Sequence, residues 1–203
     1  MESELGLRER KKIATKTALY EAAMRLSVEN GYDTVTVEAI ADAAGVSRRT
    51  FSNYFASKEE AMLYGDSVRL HALLDAVAAR PAEESAWTAL RGAVRSVLRD
   101  LQRQRRERDD HLDWLTCARV IRSHPALLSE QVATYASFER ALATTVDARL
   151  SPDDRSVMRA RVIAACFLAA LRAGTQAWLD DDSGTPASQF IDQALVEAGL
   201  PFP

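Results

Sequence analysis

Sulfur, glycine and proline are scarce in this chain of 203 residues, and each scarcity removes a class of protein. The only two cysteines, Cys117 and Cys166, stand far apart, without a C-x-x-C pair and without a neighbouring His. A disulfide framework and a zinc site are therefore both unsupported, and buried free thiols are expected. Only 8 Gly and 6 Pro are present against 35 Ala, a composition for helix rather than for a turn-dense β protein. The longest unbroken apolar run, VIAACFLAAL at 162–171, has ten residues, against about 20 needed to span a bilayer. The charged start MESELGLRERKK has no apolar segment of the kind a secretory signal carries. An all-α, cytoplasmic protein without a membrane partner is the expectation. There is no G-x-S-x-G, H-E-x-x-H, Walker-type loop or paired-carboxylate motif, so no enzyme and no cofactor are expected. His71, His111 and His124 show no ligand spacing with carboxylates, which leaves no candidate metal site.

Net charge is also small. With 26 Lys+Arg against 29 Asp+Glu the chain carries −3, which speaks against a surface that binds polyanions throughout. The distribution says something else. Segments 8–16 and 47–58 together hold eight basic residues (Arg8, Arg10, Lys11, Lys12, Lys16, Arg48, Arg49 and Lys58) and one acid, Glu9. That leaves 18 of the 26 basic residues and 28 of the 29 acids for the rest. A small basic head on a larger acidic body is what a DNA reader joined to a non-DNA domain shows.

Periodicity divides the chain into about nine helices. Leu19, Ala22, Ala23 and Leu26 mark a first helix from about Leu7 to Asn30-Gly31. Thr36 stands as N-cap before Val37, Ile40, Ala41 and Ala44, a helix of about two turns stopped at Gly45. Ser47 caps a third short helix with Phe51 and Phe55 as its apolar positions, and Ser57-x-x-Glu60 is a capping box opening a fourth that runs to about Ala79. Trp87 to Leu101 follows as an amphipathic helix ending in the charge run RQRRERDD at 103–110, read as a solvated turn. Then come helices from His111 to Ser123, from about Leu128 to Leu150, from Ser151-Pro152 to Leu179 with Ser151 capping, and from Pro186 through Phe190, Ile191, Ala194, Leu195 and Ala198.

Two short helices joined at Gly45-Val46-Ser47 fit a helix-turn-helix, whose second helix enters the major groove. The first turn of that helix offers Arg48, Arg49 and Thr50, which suit base edges and phosphates, with Asn53 and Tyr54 one turn on. The stretch TVTVEAIADAAGVSRRTFSNYFASKEEAML at 34–63, with its G-V-S-x-x-T-x-x-x-x-F-x-S-K frame at 45–58, resembles the N-terminal domain of the TetR family of transcriptional regulators. The resemblance runs from about Ile13 to Leu63. It implies phosphate contacts from Thr36, Thr50, Tyr54 and Lys58, and base or near-base contacts from Ser47, Arg48, Arg49 and Asn53. Lys11 and Lys12 join this DNA-binding set by their place in the basic cluster. Two positions depart from the family pattern: Ser52 stands where an aromatic is common, and Ser27 where a core Phe is frequent.

The resemblance also implies a plan for the remainder, an N-terminal three-helix DNA-binding domain at 1–56 and a helical ligand-binding and dimerisation domain at 57–203. Trp87, His111, Trp114, Cys117, Tyr135, Phe138 and Phe167 are candidate pocket residues for a small apolar or amphipathic effector. Aromatics at helical spacing are equally ordinary core. The segment 162–178 is apolar nearly all round and rich in Ala, so it needs burial on more than one face. Phe167, Leu171, Trp178, Phe190, Ile191, Ala194 and Leu195 are the candidate homodimer residues. A twofold dimer would present two recognition helices to the half-sites of a palindromic double-stranded operator. The expected function is a ligand-released repressor, with an activator, or a helical adaptor that uses the same motif on protein, as the alternatives.

Overall fold

The computed structural model describes residues 6–107, 114–153 and 156–200, and among these it has nine α-helices, one 3-10 turn and no strand. In chain order they are α1 (Leu7–Asn30), the 3-10 turn (Tyr32–Thr34), α2 (Val37–Ala43), α3 (Arg48–Ser52), α4 (Lys58–Ala78) and α5 (Ala86–Glu107). Then follow α6 (Trp114–Ser123), α7 (Pro125–Asp147), α8 (Val157–Leu179) and α9 (Ala187–Glu197). They pack into two units. One takes the chain up to Val68 with α6 and the first turns of α7 to Ala133; the other takes Arg69 through α5, and Thr134 through α9.

The first unit is built on α1, whose Leu19, Ala22, Ala23 and Met24 are buried on one face. Ile40 and Ala41 of α2, Phe51 of α3, Phe55, and Ala61, Met62 and Leu63 of α4 close onto the same core. So do Cys117 and Ile121 of α6 and Leu127 of α7, which puts three residues from beyond position 110 into the core of the helix-turn-helix. Ser27 is buried, donates to the Ala23 carbonyl at 2.8 Å, and lies 3.8 Å from the Met62 sulfur. Met62, fully buried, is the flexible side chain at the place where a larger core residue was expected.

The second unit centres on α8 and α9, which pack along one another. Gly174 makes this possible: a Cβ built there would lie 2.7 Å from the Ile191 Cα and 2.8 Å from the Phe190 carbonyl oxygen. Asp192 of α9 accepts from Arg91 at 3.2 Å and from Arg95 at 2.8 Å, both on α5. Arg149 donates to the carbonyls of Val77 at 3.2 Å and of Arg80 at 3.2 Å, and so ties the end of α4 and the segment that follows it to the start of the connection before α8.

Three readings of local structure are corrected. The charge run at 103–110 begins as helix, because α5 continues through Glu107; 108–110 lie outside the described residues. Ser151 does not cap the eighth helix. Residues 152–153 form a turn, and Ser156 is the N-cap, its hydroxyl accepting from the Arg159 N–H at 3.5 Å. The apolar run at 162–171 sits within a helix whose mean hydropathy over 18 residues reaches 1.5, enough by length and composition to cross a membrane. The counting of unbroken runs missed this because Arg161 and Arg172 interrupt the segment without lowering its average far. One side of it, Ala160, Ala164, Phe167, Leu168, Ala170 and Gly174, is buried within the chain.

Candidate nucleic-acid interface

The turn between α2 and α3 is fixed by the backbone itself. The Val46 N–H donates to the Ala41 carbonyl at 2.9 Å and the Gly45 N–H to the Asp42 carbonyl at 3.0 Å, the paired bonds of a Schellman ending. Gly45 has φ +68°, the left-handed conformation that this ending requires and that a side chain would strain. Both helices then start from side-chain caps. Thr36 accepts from the Ala39 N–H at 3.1 Å, and Ser47 from the Thr50 N–H at 3.1 Å. The Ser47 and Thr50 hydroxyls are also bonded to each other at 2.9 Å. A helix of only five residues cannot sustain itself. The cap at Ser47 and the burial of Phe51, 1% exposed, hold α3 in place.

The face this leaves outward carries Arg48, Arg49, Ser52 and Asn53, all exposed, with Tyr54 half-buried at its edge. Arg48 forms a 3.0 Å ion pair with Glu38 of α2, both side chains largely in solvent. Such an exposed pair contributes little to stability. Lys11 and Lys12 are exposed on α1, Lys12 paired with Glu9 at 3.4 Å. Lys16 lies 5.1 Å from the Phe55 ring centre and 5.2 Å from that of Tyr64.

Lys58 is held by contacts within the chain. Its ammonium donates to the carbonyls of Tyr32 and Val35, each at 3.0 Å, and stands 4.0 Å from the centre of the Tyr32 ring. Two of its three protons thus hold the connection that leads into α2. The Tyr32 hydroxyl in turn donates to Glu59. Burial, then that hydrogen bond and the carboxylate charge, push the Tyr32 phenol far above its ordinary range. Burial also pushes the Glu59 carboxyl upward, but the hydrogen bond from Tyr32, with backbone and Ser57 donors, outweighs it and holds the group below its usual value. The ring contact of Tyr32 with His124 joins residues about ninety positions apart and leaves no local signature in the sequence.

The remaining candidate residues are divided between the units. Cys117 is buried in the first unit, where the Tyr20 hydroxyl donates to its sulfur at 3.5 Å. Trp87, Tyr135, Phe138 and Phe167 belong to the second. There the Trp87 ring meets Phe167 edge-on at 6.2 Å, and its N–H donates to the Leu195 carbonyl at 3.2 Å. His111 and the Trp114 side chain lie outside the described residues. Of the residues expected at a homodimer face, Phe167, Ile191 and Leu195 are buried inside their own chain, 0–1% exposed, and are not on any surface. Leu171, Trp178, Phe190 and Ala194 are partly buried. The outward side of α8 is Val162, Cys166, Ala169, Ala173 and Ala177, all exposed at helical spacing. Cys166, expected to be buried, is therefore exposed, while Cys117 is buried as anticipated.

Comparison with known proteins agrees with this geometry. A family profile described as bacterial regulatory proteins of the tetR family matches residues 19–63, and one described as the MftR C-terminal domain matches 84–201. The transcriptional regulator TcmR of Streptomyces glaucescens is 36% identical over 173 residues, 85% of this chain and 76% of that protein. A protein named for regulation of mycofactocin biosynthesis, MftR of Mycobacterium tuberculosis, is 29% identical over 186 residues, covering 90% and 87%. Among solved structures, Thermus thermophilus FadR in complex with lauroyl-CoA superposes with a TM-score of 0.59 at 21% identity, covering 93% of this chain and 96% of that one. A SmeT–triclosan complex superposes at 0.58 with 15% identity, covering 94% and 99%.

Proposed function

Because the chain belongs to the TetR family of transcriptional regulators, we propose that it is a cytoplasmic homodimeric repressor that a small apolar or amphipathic ligand releases from a palindromic operator. The observation that carries the DNA-binding part is the reading head itself. A Schellman-closed, doubly capped pair of short helices presents Arg48, Arg49 and Asn53 outward, with Lys11 and Lys12 on the neighbouring helix. Arg48, Arg49 and Asn53 are assigned to base edges, and Thr36, Ser47, Thr50, Tyr54, Lys11 and Lys12 to phosphates or near-base positions. Lys58 is assigned a lesser share, through its one remaining proton, because two are used within the chain.

The dimer is assigned to α8 and α9. Val162, Cys166, Ala169, Ala173 and Ala177 form a strip of small and apolar groups that water would otherwise cover, with Leu171, Trp178, Phe190 and Ala194 at its margins. Small residues let a partner helix approach closely. The effector is assigned to the unit that holds Trp87, Tyr135, Phe138 and Phe167, an aromatic set suited to an apolar ligand. A lauroyl thioester and triclosan in the solved complexes are ligands of that character.

Fluorescence anisotropy with duplexes drawn from DNA upstream of the protein's own coding sequence tests this. The expected result is sequence-selective binding whose affinity falls linearly in log–log form with salt, as counterion release requires. Binding that ignores sequence, or is absent at low salt, sinks the proposal and favours a helix-turn-helix that contacts protein.

A further inference from the structure

The corner between α6 and α7 reaches into the head through one side chain. His124 stands between the end of α6 at Ser123 and the start of α7 at Pro125, and its imidazole stacks on the Tyr32 ring at 4.4 Å and 29°. Tyr32 lies in the 3-10 turn that delivers the chain into α2, and it is 7% exposed. The same ring is covered by the Lys58 ammonium, and the same turn is tied by Lys58 to the carbonyls of Tyr32 and Val35. Val35 immediately precedes Thr36, the N-cap of α2. On the other side, the backbone at His124 is anchored. Ile121 and Leu127 flank it, both are buried in the core of this unit, and the Leu128 N–H donates to the His124 carbonyl at 3.1 Å.

We propose that His124 is a positioning residue of the DNA-binding head: stacked on Tyr32, it makes the place where α2 begins depend on where the α6–α7 corner stands. The inference rests on the reading of α2 and α3 as the DNA reader, and deepens it by naming a contact through which a shift of α6 or α7 is felt there. The stack is a two-ring contact with one well-defined geometry, so it transmits displacement, whereas the surrounding aliphatic contacts accommodate it by repacking. Lys58 explains why the turn follows the ring as a body. Carbonyl and ring are held by one ammonium group, so the ring cannot tilt without moving the bonds that set Val35 and Thr36.

The test uses the full-length protein with three variants, His124→Ala, His124→Gln and His124→Phe. Hydrogen exchange is read at the amides of 32–41, and affinity is read on duplexes that the wild-type protein selects from a random-sequence pool. The expected result is that Ala and Gln raise exchange at 32–41 by roughly threefold to tenfold, the range an aromatic pair supports, and weaken duplex binding by a similar factor, while Phe restores both. Gln keeps the site polar and filled, so it serves if Ala fails to fold. Unchanged exchange in the folded variants, or a Phe variant that behaves like Ala, overturns the proposal. So does raised exchange with unaltered DNA affinity. If the wild-type protein selects no DNA, the reading of α2 and α3 fails on its own, and the exchange data still decide whether His124 positions the turn.

Discussion

Gly174→Ala is the substitution whose outcome the geometry constrains most tightly. In isolation an Ala within a helix is favoured over Gly by about 1 kcal/mol. Here the added methyl carbon would lie 2.7 Å from the Ile191 Cα, 2.8 Å from the Phe190 carbonyl oxygen and 3.0 Å from the Ile191 nitrogen. All three are backbone atoms of α9, so no rotamer change relieves the overlap, and α8 and α9 must separate by roughly an ångström to reach ordinary contact. Forcing a methyl into a packed interface costs about 1–3 kcal/mol, and this site belongs at the upper end because the backbone has to move. The net expectation is a loss of about 1–2 kcal/mol. Gly92→Ala is the matched control. Its Cβ would meet the guanidinium of Arg80 at 2.8 Å, the far end of a flexible side chain that also pairs with Glu84, so the overlap is relieved by moving a side chain rather than backbone and the cost is smaller than at Gly174. Urea unfolding followed by circular dichroism, at one fixed protein concentration because association shifts the midpoint, compares the two. A Gly174→Ala midpoint equal to or above that of Gly92→Ala refutes the argument that α8 and α9 are held at backbone contact.

Three other outcomes are expected. Arg49→Ala should cost about 1–3 kcal/mol at one operator position if the side chain reads a base, measured by anisotropy against a panel of single-base variants; equal weakening on every duplex reassigns it to phosphate. Asp192 is held below the usual carboxylate range chiefly by hydrogen bonds from Arg95, with Arg91 adding to them and burial opposing. A depressed folded pKa gives stability that is present above the unfolded value, about 3.9, and is lost as pH falls through the folded one. Asp192→Asn should therefore lower the melting temperature at neutral pH, by the equivalent of about 1 kcal/mol once screening of these partly exposed groups is allowed for. The two melting curves should begin to converge as pH falls below about 3.9 and meet only once pH is below the folded pKa of Asp192; a difference that does not shrink with acidification shows that the ion pairs are not its source. Finally, Cys117 is buried within its chain and Cys166 is exposed on the outward side of α8. If that side is the dimer face, maleimide should label the protein slowly at high concentration and quickly, at one thiol, on dilution. Fast labelling at all concentrations places the dimer elsewhere.

What the sequence made legible were features that local chemistry dictates. The caps at Thr36, Ser47 and Ser57 were readable because a hydroxyl before an apolar period has one local use, and Gly45 because only one backbone conformation suits the Schellman ending. The capping box was right in kind and displaced by one residue in detail: Glu60 accepts from the Ala56 N–H rather than from that of Ser57. Failures fall where distant residues decide. Ser151-Pro152-Asp153 has the composition of a helix start, but Ser156 is the residue that caps α8. Apolar character places Phe167, Ile191 and Leu195 at a homodimer face, whereas in the folded chain they are buried between helices of the same chain. Hydrophobicity records that a face is covered and carries no mark of whose chain covers it.

Lys58 carries the same lesson to the functional residues. Its charge and its position at the start of α4 fit a phosphate contact, and that is all a sequence can encode about it. In the folded chain the ammonium donates to two carbonyls and stands over the Tyr32 ring, all within the turn that leads to α2. Removing it should therefore loosen the head before any DNA is present. A residue that only met phosphate would leave exchange at 32–41 untouched in Lys58→Met, and would lower the salt dependence of binding by about one ion. A residue that holds the turn raises exchange there, and weakens binding without that change of slope. The two roles separate on observables that do not share a cause.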